Sequence, residues 1–132
     1  MSTFKNLEEA KRFFEHDRFA TENGITLDEI GDDWARTSVT LTDRHRNAQG
    51  GIMGGVIFTL ADLALAAASN NIHSSSVAQQ MSVNFLSGSR GTKLFAYSKC
   101  RKDGKTSGVY IIDVTDDLGR DIAQITGIAF KK

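Results

Sequence analysis

The stretch of sequence that decides the fold is residues 56–68, which read VIFTLADLALAAA. It is rich in Ala and Leu, which are good helix formers, and it has almost no polar face. A helix that is apolar on all sides must be covered on most of them by other structure. Thr59 and Asp62 interrupt the stretch, which is also shorter than the roughly 20 residues needed to cross a bilayer. We therefore predict a central core helix and no membrane association.

Segments with strand character lie on both sides of this helix. Residues 25–42 read as one or two strands, and four more runs follow the helix, at residues 77–85, 93–101, 108–115 and 122–130. Asp103-Gly104 marks a tight hairpin between two of these runs. Consecutive strands joined by short turns imply an antiparallel sheet. The predicted fold class is α+β, with an antiparallel sheet curled around one long central helix.

A short N-terminal helix is predicted between residues 6 and 17, because apolar side chains recur there at helical spacing: Leu7, Ala10, Phe13 and Phe14. The length of 132 residues is typical of one compact domain, which we place at residues 1–132. A curled sheet leaves edges and one face that need cover, so we expect at least a homodimer.

The charge balance and the rare residue types exclude several functions. The 16 basic and 16 acidic side chains cancel, so no overall positive field would attract nucleic acid or an anionic membrane. Cys100 is the only cysteine, which excludes an internal disulfide and a multi-cysteine metal site. The three histidines have no metal-ligand spacing, and we expect all of them at the surface: His16, His45 and His73. The first residues lack the pattern of a secretory signal, which predicts a cytoplasmic protein.

Asp62 is the first candidate catalytic residue. It is the only charged residue between Arg46 and Arg90, and it lies in the middle of the apolar helix. A buried carboxylate is costly unless it is paired or hydrogen-bonded, so its position asks for a reason. Two structural reasons remain open beside catalysis: Asp62 caps a neighbouring backbone group, or it reaches solvent from one edge of the helix.

Gly54 and Gly55, at the predicted start of the helix, form a second candidate element. Glycines there leave the first backbone N–H groups unobstructed, and with the helix dipole these groups favour a developing oxyanion. A plain loop-to-helix turn is the alternative. Asp62 follows Gly54 by eight residues, about 12 Å along a helix, which is too far for one substrate carbon to meet both. If both act, they come from two subunits of a dimer with antiparallel helices.

Two polar segments could add to such a site. The amide of Asn47, in the loop before the helix, could orient a water or a carbonyl group, although a local turn bond is the default role of a loop asparagine. The second segment is a hairpin whose cations and hydroxyls would suit phosphate groups, although a solvated hairpin tip would look the same. Its candidate binding residues are Arg101, Lys102, Lys105 and Thr106.

The segment from Asn47 to Asp62, with its Gly54-Gly55 pair, resembles the signature of hotdog-fold acyl-CoA thioesterases, and most of all the phenylacetate-pathway (PaaI-like) group. Gly104-Lys105-Thr106 is similar to the hairpin turn of that family. Asn47, Gly54, Gly55 and Asp62 stand at the family's site positions. Two positions depart from the pattern: Met53 replaces a usual histidine, and Ala78 stands where several members have serine or threonine.

The resemblance implies a hotdog fold and hydrolysis of acyl-CoA thioesters to free acid and CoA. Gly54 would polarise the thioester carbonyl, while Asp62 of the other subunit would activate water or attack directly. The hairpin cations would lie near the CoA phosphates, with Gly55 and Thr106 also binding substrate. It implies no metal and no cofactor, since CoA is part of the substrate, and it implies a homodimer or homotetramer.

Two rival functions and one question of specificity stay open. A non-catalytic acyl-CoA binding or sensing protein would keep the groove but lose competence through Met53 and Ala78. A hotdog dehydratase or hydratase needs a histidine paired with an acid, and Met53 leaves the motif without that base. The acyl group is not determined, so both aromatic and medium-chain aliphatic substrates fit the sequence.

Overall fold

A computed structural model of the protein describes residues 2–132. Its six strands form one antiparallel sheet in the order β1-β2-β4-β5-β6-β3. In chain order the elements are α1 Leu7–Phe14, α2 Arg18–Glu22, β1 Ile25–Ile30, β2 Trp34–Thr40, α3 Gly54–Ile72, β3 Ser76–Phe85, β4 Lys93–Asp103, β5 Ser107–Asp116 and β6 Asp121–Lys131. The prediction of an antiparallel sheet around one long helix is confirmed.

Helix α3 is the centre of the core, and every strand contacts it. Leu60, Ala61 and Ala64 are fully buried, as the apolar sequence predicts. The Thr37 hydroxyl of β2 donates a 2.8 Å hydrogen bond to the Leu60 carbonyl oxygen, which ties the sheet to the middle of the helix. Helix α3 is long and apolar enough to span a membrane by length and composition alone, but 61% of its most apolar 18 residues are buried within the protein. Helices at the core of globular proteins commonly reach the same length and apolarity.

The N-terminal helix starts and packs as its sequence suggests. The Asn6 side chain accepts a 2.9 Å hydrogen bond from the Glu9 N–H, which caps α1. Ala10 and Phe14 are buried, whereas Phe13 is 54% exposed although it has the same helical spacing. The short helix α2 that follows was not predicted, because five residues are too few to show a helical period.

The two edges of the sheet differ. Strand β1, at one edge, has six residues and contacts both α1 and α2. Strand β3, at the other edge, has ten residues, and most of its side chains are exposed. Val77 and Phe85 on this strand are 41% and 58% exposed. A long, exposed edge with apolar side chains is a surface that proteins normally cover.

Candidate active site

The start of α3 presents free backbone donors. Met53 is the residue before the helix, with extended backbone (φ −63°, ψ 133°), and its side chain makes no capping bond. The N–H groups of Gly54 and Gly55 donate to no acceptor within residues 2–132. Unpaired N–H groups at the positive end of a 19-residue helix favour an anion or a polarised carbonyl oxygen. The oxyanion role of Gly54 stays a prediction.

His45 holds the loop that leads into this helix. It is only 2% exposed, so its predicted surface position is wrong. Its Nδ1 accepts a 3.0 Å hydrogen bond from the Thr42 N–H, which leaves the protonated Nε2 to donate to the Asn23 carbonyl oxygen at 2.7 Å. The His45 carbonyl oxygen in turn accepts a 2.9 Å bond from the Met53 N–H. His45 therefore anchors the loop, whereas His16 is exposed and His73 half-buried.

Asn47 makes the local turn bonds that its loop position suggests. Its Oδ1 accepts hydrogen bonds from the N–H groups of Gln49 and Gly51, at 3.0 and 3.1 Å. Since two donors point at this atom, the amide orientation is defined, and Nδ2 is left as the free donor. Asn47 is exposed. The turn bonds do not compete with the predicted role, because orienting a water or a carbonyl oxygen would use Nδ2.

Asp62 lies half-buried on α3 and lines a pocket of about 290 Å³ with Phe58, Thr59, the α1–α2 turn and the first turn of α2. Its carboxylate forms no hydrogen bond or ion pair with any of residues 2–132, so the backbone-capping explanation is wrong. Burial, followed by the negative charge of Asp17, raises the pKa of Asp62 above its usual value. A carboxylate with raised proton affinity and no partner is suited to accept a proton.

An apolar groove runs along the exposed side of α3 from Gly55 towards Phe58. It measures about 330 Å³ and is lined by Met53, Gly55 and Val56 at the helix start and by Phe19 and Phe58 further along. Phe19, Phe58 and Thr59 also line the pocket of Asp62, so the two depressions adjoin. A groove of this kind can hold an apolar acyl group.

The cationic hairpin lies at the opposite end of the molecule. Lys131 Nζ donates to the Gly104 carbonyl oxygen at 2.7 Å, and the Lys132 carbonyl oxygen lies 3.2 Å from His73 Nε2, just after the end of α3. The first and last residues of α3 are about 27 Å apart. Within one chain, the hairpin residues are therefore not brought to Gly54 or Asp62. All four are exposed: Arg101, Lys102, Lys105 and Thr106.

Two residues of this pocket escape detection in the sequence. Asp17 reaches it from the α1–α2 turn and Phe19 from α2. Asp17 stands within a polar stretch, and Phe19 looks like an ordinary core residue of a helical segment, yet it is 74% exposed. No spacing relates either residue to Asp62, because the contact depends on how the N-terminal helices fold over α3.

Comparison with known proteins identifies the family. The model of the thioesterase superfamily matches residues 49–123. The acyl-coenzyme A thioesterase PaaI of Escherichia coli K12 is 31% identical over 124 residues, which cover 93% of this chain and 89% of that protein. A putative esterase of Archaeoglobus fulgidus is 30% identical over 104 residues, or 78% of this chain and 68% of that protein.

Solved structures agree with this result. The structure of the E. coli PaaI protein from the phenylacetic acid degradation operon superposes with a TM-score of 0.88 at 28% identity and covers 95% of this chain and 91% of its own. A Streptococcus mutans protein bound to acetyl CoA superposes with a TM-score of 0.78 at 25% identity, covering 83% and 89%. With sequence, family model and fold in agreement, the chain belongs to the thioesterase superfamily and has its hotdog fold.

Proposed function

We propose that this protein hydrolyses acyl-CoA thioesters to the free acid and CoA, at a site to which two subunits contribute. The thioester hydrolase class follows from the superfamily and from the likeness to an acyl-CoA thioesterase. The observation that carries the assignment of the site is Asp62, an unpaired carboxylate with a raised pKa beside an apolar groove. The free N–H groups of Gly54 and Gly55 supply the complementary donors at the start of the same helix. Gly55 lines that groove, and Gly54 lines a neighbouring depression beside Phe85.

Each group has a distinct part in the reaction. The N–H of Gly54 donates to the thioester carbonyl oxygen, which becomes negatively charged as the carbonyl carbon is attacked. Asp62 either removes a proton from the attacking water or attacks the carbon itself to form an anhydride that water then opens. Asn47 Nδ2 orients the water or the carbonyl. In both routes the C–S bond breaks, and the departing thiolate takes a proton to give CoA.

The distance between the two elements supports a dimer. Gly54 and Asp62 are separated by about 12 Å on one rigid helix, so one chain cannot place both on the same carbon. The exposed side of α3 carries Gly55, Phe58 and Asp62 at spacings of three and four residues, which is one face of the helix. Strand β3, whose Phe85 packs against Gly54, offers an exposed edge. A two-fold partner that covers both would set each Gly54 beside the Asp62 of the other subunit.

The same two-fold arrangement accounts for the distant hairpin. An antiparallel partner places the end of its own molecule that carries Lys105 next to the Gly54 end of the first chain. Arg101, Lys102 and Lys105 of the partner then supply positive charge for the phosphates of a CoA whose thioester lies at Gly54. Four features of the protein stay predictions: a homodimeric or homotetrameric state, a single domain over residues 1–132, independence of any metal or cofactor, and a cytoplasmic location.

Release of free thiol from a panel of aromatic and aliphatic acyl-CoAs tests the function. The purified protein should turn over at least one of them, and Asp62→Asn should lose most of that activity while keeping its fold by circular dichroism. Acyl-CoA binding in a calorimeter without hydrolysis by the wild type would favour the non-catalytic binder instead. Undiminished turnover by Asp62→Asn would remove Asp62 from the mechanism.

A further inference from the structure

A second carboxylate faces the pocket of Asp62. Asp17, in the turn between α1 and α2, lines that pocket together with Asp62. It stands at the residue before α2, where an aspartate usually accepts a hydrogen bond from the helix backbone, but its side chain makes no such bond. Within residues 2–132, the carboxylate of Asp17 also forms no ion pair. Capping and charge pairing therefore do not explain why an aspartate stands here.

Among residues 2–132, no cation forms an ion pair with either carboxylate. The charged or titratable groups around the pocket are Asp62 on α3, His16 and Asp17 in the α1–α2 turn and Arg18 at the start of α2, and among the described residues no strand lines it. Arg18 points instead to Glu22, with its Nη2 2.6 Å from Oε2. Burial raises the pKa of Asp17, and the nearby His16 lowers it by less. The negative charge of Asp17 adds to the effect of burial on the pKa of Asp62.

We propose that Asp17 is a positioning residue of the thioesterase site, whose ionised carboxylate faces Asp62 across the pocket and makes it a stronger base or nucleophile. The argument rests on the proposed function of Asp62. Two unpaired carboxylates in one partly desolvated pocket repel each other, and the repulsion is relieved when Asp62 takes up a proton or bonds to an electrophilic carbon. Asp17 thus favours the step in which Asp62 reacts, without touching the substrate.

The pH dependence of kcat/KM tests the proposal, with the most active acyl-CoA of the panel as substrate. In Asp17→Asn the acidic limb should move to lower pH, and kcat on the plateau should fall about two- to fivefold because Asp62 becomes a weaker base. Asp17→Glu, which keeps the charge, should restore the wild-type limb. Glu8→Gln, which removes an exposed carboxylate of α1, should leave the profile unchanged. An unshifted acidic limb in Asp17→Asn would overturn the proposal.

A second measurement does not depend on activity. Carboxyl-carbon NMR of protein labelled at aspartate gives the titration of Asp62 directly, with Asp62→Asn to assign the resonance. The midpoint for Asp62 should be lower in Asp17→Asn than in the wild type and unchanged in Glu8→Gln. An equal midpoint would contradict the inference about Asp17 alone. A wild type that binds acyl-CoA without hydrolysing it would contradict the proposed function, while the coupling of the two carboxylates would remain measurable.

Discussion

The ring of Phe85, at the end of β3, packs against Gly54 so closely that a Cβ atom on Gly54 would lie 3.1 Å from its Cζ. At Gly55, the next residue, an added Cβ would meet nothing within 4 Å. The first turn of α3 is therefore closed by the sheet on one side and open on the other. Because the groove lies on the open side, the two glycines can be tested separately.

Gly54→Pro should remove the proposed oxyanion donor without breaking the helix. Proline is favoured at the first position of a helix, and the extended backbone of Met53 is compatible with a following proline. Loss of one such donor typically lowers kcat by a factor of about 10²–10³. Gly54→Ala is the matched control, since it makes the same contact with Phe85 but keeps its N–H. Steady-state kinetics that show equal losses in both variants would assign the effect to packing.

Gly55→Ala should leave the free energy of unfolding nearly unchanged and raise KM. The added methyl group points into open space in the single chain, where the substrate or the partner subunit is expected. Gly88→Ala, in the loop after β3, is the control, because its Cβ also meets nothing within 4 Å. Chemical denaturation and steady-state kinetics measure the two effects, and an unchanged KM in Gly55→Ala would remove that residue from the site.

Asp62→Asn should be more stable than the wild type at neutral pH. Burial raises the pKa of Asp62 in the folded protein, so its ionised form destabilises the fold. The stability contributed by the protonated group is present below the pKa of the unfolded chain and is lost as the pH rises through the folded-state pKa. Urea denaturation at a fixed protein concentration should therefore show a difference that disappears in acid. Glu8→Gln should show no comparable gain, and a less stable Asp62→Asn would contradict the account.

Lys105→Ala should raise KM for acyl-CoA more than it lowers kcat, because contact with the distant phosphates contributes equally to the ground state and the transition state. The effect should shrink at high salt, since the exposed charge is screened. Lys5→Ala removes an exposed lysine near the N-terminus and serves as the control for net charge. Equal KM values for Lys105→Ala and the wild type at low salt would place the phosphates elsewhere.

The sequence predicts the fold well because two simple periods determine it. Alternation places the four strands after the helix within two residues of their observed ends, and the all-round apolarity of residues 56–68 identifies the core helix. The apolar stretch ends at Ala68, whereas α3 continues to Ile72 through the polar residues Asn70 and Asn71. Both are buried, and Asn71 donates a 2.6 Å hydrogen bond to the Gly31 carbonyl oxygen. Such long-range bonds leave no periodic trace in the sequence.

The site is predicted only in part, for a similar reason. Asp62 and Gly54 stand out because a charge within an apolar run and glycines at a helix start are local signals. His45 and Asp17 give no such local signal. The burial of His45, and the position of Asp17 at the pocket of Asp62, depend on how distant segments pack. The spacing between Gly54 and Asp62 nevertheless predicts from the sequence that a second subunit is needed.

Subunit complementation tests that central claim most directly. Asp62→Asn and Gly54→Pro are each expected to be nearly inactive alone. If each site takes Gly54 from one subunit and Asp62 from the other, random exchange makes half of the dimers mixed, each with one intact site. The mixed sample should therefore recover about a quarter of the wild-type activity. Activity that stays at the level of the separate variants, with mixed dimers verified by mass spectrometry, would contradict a shared site.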